Sequence, residues 1–229
     1  MNSVVSEKKF IQERLGIPYE NLSQSYLRAE TQLSNLSTYN FYVQRGQVAS
    51  PLATENLLEL NDQFVITHFR VSLRTIDPAV VGVPTATEQL TALQYLYADP
   101  KIFTTAANAR AAAIYNGNLS FIIDRKQFLP SFPMNAFYRV PTTQTGAFLT
   151  TAGTTGTPAA TFTGNFAQNG YDNGLFGFYV SEPTLIDGRQ TLDISLNLGA
   201  GVDIATIGTD PMIYATFETR GYLVVNSKS

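Results

Sequence analysis

The sequence predicts a mainly β protein: an antiparallel β-sandwich of jelly-roll type, with an N-terminal helical arm and one or two inserted helices. Three observations carry this. Residues 175–226 hold an aromatic and β-branched run, a turn signal at Asp187-Gly188, and strict alternation through Leu192, Ile194, Leu196 and Leu198. Residues 64–76 form a second strong strand pattern, closed by Asp77-Pro78. Charged residues make up only 14% of the 229-residue chain against 44% apolar, with much of the rest Thr, Ala, Asn and Gly, as in extended β proteins with neutral polar faces.

Taken in order, residues 3–15 predict a short helix, with Ser3 as N-cap and Gly16 just past its end. Pro18 suits the first position of a second helix, along which Tyr19, Leu22, Tyr26, Ala29, Leu33 and Leu36 recur at steps of three and four. Residues 1–38 are thus expected to form the arm and residues 39–229 the sandwich. The stripe lies either on the chain's own sheet or on a neighbouring subunit. In the second case Tyr19, Leu22, Tyr26, Leu33 and Leu36 are the subunit interface.

Tyr39, Phe41 and Val43 alternate and begin the sheet. Residues 49–61 read either as a helical turn or as the start of a strand. Within 64–76, unbroken alternation places Val65, Phe69, Val71 and Leu73 on one face, and His68 with Phe64, Ile66 and Arg70 on the other. Residues 85–97 and the Ala-rich 104–115 predict inserted helices, the second stopped by Asn116-Gly117. Strands follow at 118–124 and 127–129 around Arg125-Lys126, then a connection between Pro130 and Pro133 and a strand at 134–140. Residues 142–174, poor in charge and rich in Thr and Gly, predict a long projecting loop. The last strand, 212–225, is interrupted at Arg220-Gly221, where the glycine marks a bulge or bend.

No constellation of residues asks for chemistry, and the expectation is a protein that is not an enzyme, with no catalytic, cofactor-binding or metal residues. A single histidine, His68, rules out multi-histidine zinc sites, and no Gly-x-Ser-x-Gly elbow accompanies it. The absence of cysteine excludes thiolate metal sites and disulfides. Asp187 reads as turn chemistry, and Asp172-Asn173-Gly174 lacks the spacing and terminal glutamate of an EF-hand. A net charge of −3 gives no overall electrostatic reason to bind nucleic acid. No signal-peptide run and no apolar stretch of bilayer-spanning length occurs, so a soluble protein is expected, and the Asn-Leu-Ser tripeptides at Asn21, Asn35 and Asn118 read as chance.

The runs LNDQFVITHFRVSLRTID, EPTLIDGRQTLDISLNL and FETRGYLVVN resemble structural proteins of bacteriophage particles, particularly jelly-roll coat, vertex and related capsid components, over residues 39–226. That resemblance implies a virion protein made in the host cytoplasm, partnered by copies of itself and other virion proteins, and working by self-assembly without catalysis. The missing basic arm departs from the pattern and argues against direct genome contacts. The competing reading is a carbohydrate-binding or adhesive β-sandwich that uses the 142–174 loop; a hydrolase on a β scaffold ranks third.

Overall fold

The computed structural model describes residues 3–34, 36–49, 51, 52, 54–75, 93–95, 110–137, 177–199 and 213–224. Their regular elements are helix α1 (Ser3–Leu15) and strands β1 (Leu22–Gln32), β2 (Thr38–Asn40), β3 (Gln63–Thr75), β4 (Leu93–Tyr95), β5 (Asn118–Ile123), β6 (Lys126–Pro133), β7 (Phe178–Asp187), β8 (Leu192–Asn197) and β9 (Ile213–Val224), with short 3-10 turns between them. The protein is mainly β, with two antiparallel sheets. Sheet A runs β1-β9-β3, with β7 and β4 both pairing along the far side of β3; sheet B runs β2-β8-β5-β6.

Four of the pairs are nested. β5 pairs with β6 across a two-residue turn, β3 with β7, β2 with β8, and β1 with β9. The pattern is that of one long hairpin folded at Asp124-Arg125 and rolled up, so that successive rungs alternate between sheets. Asp124 and Arg125 have φ of 47° and 66°, the left-handed pair that a type I′ turn requires and that matches the twist of the strands. Contacts β9 to β3 and β8 to β5 complete the sheets.

Alternation then builds one core between the sheets. β8 contributes Leu192, Ile194 and Leu196, β5 contributes Leu119 and Phe121, and they meet Phe64, Val71 and Phe217 of sheet A. Phe217 lies 5.7 Å from Phe41 and 6.3 Å from Phe121, ring centre to ring centre, and Phe69 and Phe178 of sheet A close on Phe132 of sheet B at 5.2 and 4.7 Å. These edge and tilted contacts are the geometry aromatic quadrupoles favour.

A second, smaller core lies on the outside of sheet A, where Ile11 of α1 is fully buried against Leu22, Val65, Tyr222 and Val224. Gly16, at φ 70°, ends α1 with its N–H donating to the Gln12 carbonyl, the left-handed helix stop that glycine supplies without strain. Glu7 accepts a 2.7 Å hydrogen bond from Tyr222, and Lys8 donates to the Leu22 carbonyl. Burial, together with the Glu7 carboxylate, holds the Tyr222 hydroxyl well above the usual phenol range. A phenol with a raised folded pKa contributes stability that is intact below its unfolded value, about 10, and is lost as pH rises beyond it. Thermal melts are therefore expected to fall from about pH 10 upward, and Tyr222→Phe to flatten that fall while costing about 1 kcal/mol at neutral pH for the lost hydrogen bond.

Several sequence expectations are corrected. The predicted helix over 19–36 is strand β1 from Leu22 onward: Leu22 packs on the outer face of sheet A, whereas Ala29 and Leu33 enter the inner core. What reads as one helical stripe is a 3-10 residue, Tyr19, then residues on both faces of β1, then Leu33 and Leu36 beyond its end. Within the predicted helix at 85–97, residues 93–95 form β4; within that at 104–115, residues 110–116 are a 3-10 turn, and the rest lies outside the described residues. Residues 134–137 are a 3-10 turn instead of a strand, and β6 runs on through Pro130 to Pro133 because, as the edge of sheet B, it has a side on which missing N–H donors cost nothing. The 142–174 loop and Asp172-Asn173-Gly174 lie outside the described residues.

Candidate functional site

The feature that creates a site is a bulge in β3. Against β9 the register steps from Ile66 opposite Gly221 to His68 opposite Arg220, so Thr67 is the extra residue; against β7 it steps from Thr184 to Tyr179, so on that side the surplus residues lie in β7. Before Thr67, Phe64 and Ile66 point to the inner core and Val65 outward; after it, Phe69, Val71 and Leu73 point inward. The bulge changes the phase of alternation. The expected grouping of Val65 with Phe69 is corrected accordingly, and His68, Arg70, Ser72 and Arg74 all come to the outer face. The room for the bulge is on the facing strand. A Cβ on Gly221 would stand 1.8 Å from the Val65 carbonyl oxygen, so only glycine admits β3 there, while β9 itself keeps continuous register with β1. The glycine noted in the sequence thus serves a bulge opposite it instead of one in its own strand.

Beside the α1-covered patch, the outer face of sheet A carries two ion-pair clusters. Glu218 accepts from Arg70 at 2.9 Å through one oxygen and from Arg220 Nε at 3.0 Å through the other. Glu30 pairs with Arg28 at 2.8 Å and with Arg74. The Arg74 and Glu30 side chains are 1% and 0% exposed, and Arg74 lies 5.1 Å from the Tyr214 ring centre. Desolvation lowers the Arg74 pKa, against the opposing pull of Glu30, and raises that of Tyr214, against the pull of Arg74. Behind them, Glu55 accepts the backbone N–H groups of Glu30 and Leu52 at 2.9 and 2.8 Å; burial raises its pKa although these bonds oppose the rise.

Over the Glu218 cluster opens a hollow of about 530 Å³ lined by Gln24, Ser25, Tyr26, Arg28, Arg70, Glu218 and Arg220. A second, of about 240 Å³, adjoins it through Gln24 and Arg220 and reaches Glu7, His68 and Tyr222. His68 lies 5.0 Å from the Tyr179 ring and within 3.0 Å of Thr67 Oγ1. Burial lowers its pKa, against the opposing pull of Glu7.

The residues expected at a subunit interface are scattered. Leu22 and Leu33, 2% and 4% exposed, belong to the two cores of the chain itself, which corrects their assignment to an intermolecular stripe. Tyr19 is partly covered by Lys8, whose amine lies 4.9 Å from its ring. Tyr26 and Leu36 remain about half exposed, and of the five only Tyr26 lines the hollow. The arginines there were missed, although Arg28-x-Glu30 and Glu218-x-Arg220 already showed charges alternating with core residues.

Among the described residues no group of three or more acidic or histidine side chains stands together to hold a metal, and no helix is long and apolar enough to cross a membrane. Comparisons with protein-family models, curated proteins and solved structures find no match.

Proposed function

We propose that this chain is a structural subunit of a bacteriophage particle, a coat, vertex or related capsid component built as a jelly roll, which acts by assembling with its own copies and other virion proteins and performs no catalysis. In this reading it is made in the host cytoplasm and ends in the virion. The nested pairing carries the proposal. Setting the three-residue β4 aside, sheet A in the order β1-β9-β3-β7 faces sheet B in the order β2-β8-β5-β6, the arrangement of a hairpin rolled into eight strands, an architecture used by capsid proteins. A low charge fraction of 14% and half-exposed Tyr26, Leu36, Tyr42 and Leu60 support it, since assembly surfaces are poor in charge at their centres and enriched in aromatics.

Lectins use the same architecture, and a glycan array separates that alternative by its signal. Multi-angle light scattering and negative-stain microscopy of the purified chain are expected to show rings, shells or sheets that grow with concentration. A monodisperse monomer at the highest attainable concentration overturns the reading.

A further inference from the structure

We propose that the hollow over Arg28, Arg70 and Arg220 accepts a carboxylate-bearing surface of a second copy of this chain, in a head-to-tail contact that joins different faces of the two copies. The inference rests on the assembly reading above and specifies its contact. Three arginines and Glu218 give the hollow a formal charge of +2. The Glu30 and Arg74 pair beneath adds two opposite charges, and Glu55 behind it and Glu7 in the adjoining hollow bring the wider region to balance, so the excess positive charge belongs to the larger hollow itself. The whole chain carries −3, so everything outside the hollow sums to −5. Net positive charge is thus concentrated in one hollow of an acidic molecule.

The shape is that of a docking surface. The hollow is broad and open, continues into the smaller one past Arg220, and is walled by Tyr26 with 48% of its surface exposed. Tyrosine and arginine together are the side chains that concentrate binding energy at protein interfaces. Arg220 is itself 51% exposed and uses Nε on Glu218, and a guanidinium has further N–H donors on its terminal nitrogens for an incoming carboxylate. Glu218 serves to orient it.

Charge decides the symmetry of the contact. Two of these hollows brought together would set arginines against arginines, a like-charge contact that a desolvated interface disfavours. The partner surface must be a different one. Exposed carboxylates are available off this face: Glu59 in the turn before β3, and Asp193 between Leu192 and Ile194, whose inward side chains put Asp193 on the outer side of sheet B. A contact between unlike faces repeats, closing into rings or extending into lattices.

The test uses the full chain. Assembly, followed by light scattering against protein concentration, is expected to weaken steadily as salt is raised, because an open arginine–carboxylate contact is screened. Arg220→Glu is expected to raise the concentration needed for assembly about tenfold or more, with circular dichroism confirming its fold, while Arg45→Glu, exposed in the turn after β2, leaves it unchanged. Arg220→Glu copies mixed with unaltered ones retain a donating surface without an accepting one, so they cap growth and shorten assemblies when present as a minority. Should Arg220→Glu misfold, the salt series on the unaltered chain decides. Assembly indifferent to salt overturns the inference and leaves the assembly reading standing, as does assembly by a folded Arg220→Glu chain at the unaltered concentration; failure of the unaltered chain to assemble overturns both.

Discussion

Gly221→Ala is expected to cost about 3 kcal/mol or more, at or beyond the upper end of overpacking penalties, and thus a large part of the 5–15 kcal/mol that holds a typical domain together. The new methyl would lie 1.8 Å from the Val65 oxygen and 2.9 Å from the Val65 carbonyl carbon. That neighbour is backbone, and it cannot step aside, because β3 is hydrogen-bonded to β9 on one side and to β7 on the other. Urea unfolding of Gly221→Ala beside Gly46→Ala, where an added Cβ meets nothing within 4 Å, reads the difference. Equal midpoints would show that β3 does not cross β9 where described.

Glu30→Ala is expected to destabilise by about 3–5 kcal/mol, the usual cost of removing one member of a buried pair. The loss is in what remains: Arg74, 1% exposed, keeps its charge, the Tyr214 ring and the attraction of Glu55 but has lost its ion-pair partner Glu30. Arg28, 18% exposed, can turn to solvent. Combining Glu30→Ala with Arg74→Met removes the buried charge that has lost Glu30 and should restore most of the stability, since apolar replacements of whole buried pairs are close to neutral. A double variant as unstable as the single one would show that the loss comes from packing instead of charge.

The strands with one-sided burial were legible. β8 alternates core with more exposed positions, and α1 stops before Gly16 as written. The N-terminal third misled because the spacing of Tyr19, Leu22, Tyr26, Ala29, Leu33 and Leu36 satisfies a helix while their true neighbours, Arg28 and Glu30, alternate with Leu27 and Ala29 at strand period. Polar Ser23, Gln24 and Ser25 follow Leu22, so the first half of β1 lacks the apolar alternation from which a strand's period is read. β3 was found, but its bulge was not: a single inserted residue shifts phase without changing composition, and its only trace lay about 150 residues away at Gly221. The arginine face escaped for the same reason, since Arg70 and Arg220 become neighbours only once β3 and β9 are aligned.

The strap at Asn56 carries a consequence for how such a molecule waits for its partners. Along the outer edge of β1, Arg28 exchanges backbone hydrogen bonds with Asn56 at 2.7 and 3.0 Å, the Asn56 side chain donates to the Tyr26 carbonyl, and Glu55 takes the Glu30 N–H. At the far side of the sandwich, β6 presents Pro130 and Pro133. Two of the edge strands, β1 and β6, are thereby closed to a stray strand, the route by which concentrated β proteins grow into fibres. In the assembly proposed above, crowded copies would stay apart along these two edges, and a wrongly joined copy could leave without unzipping a sheet there.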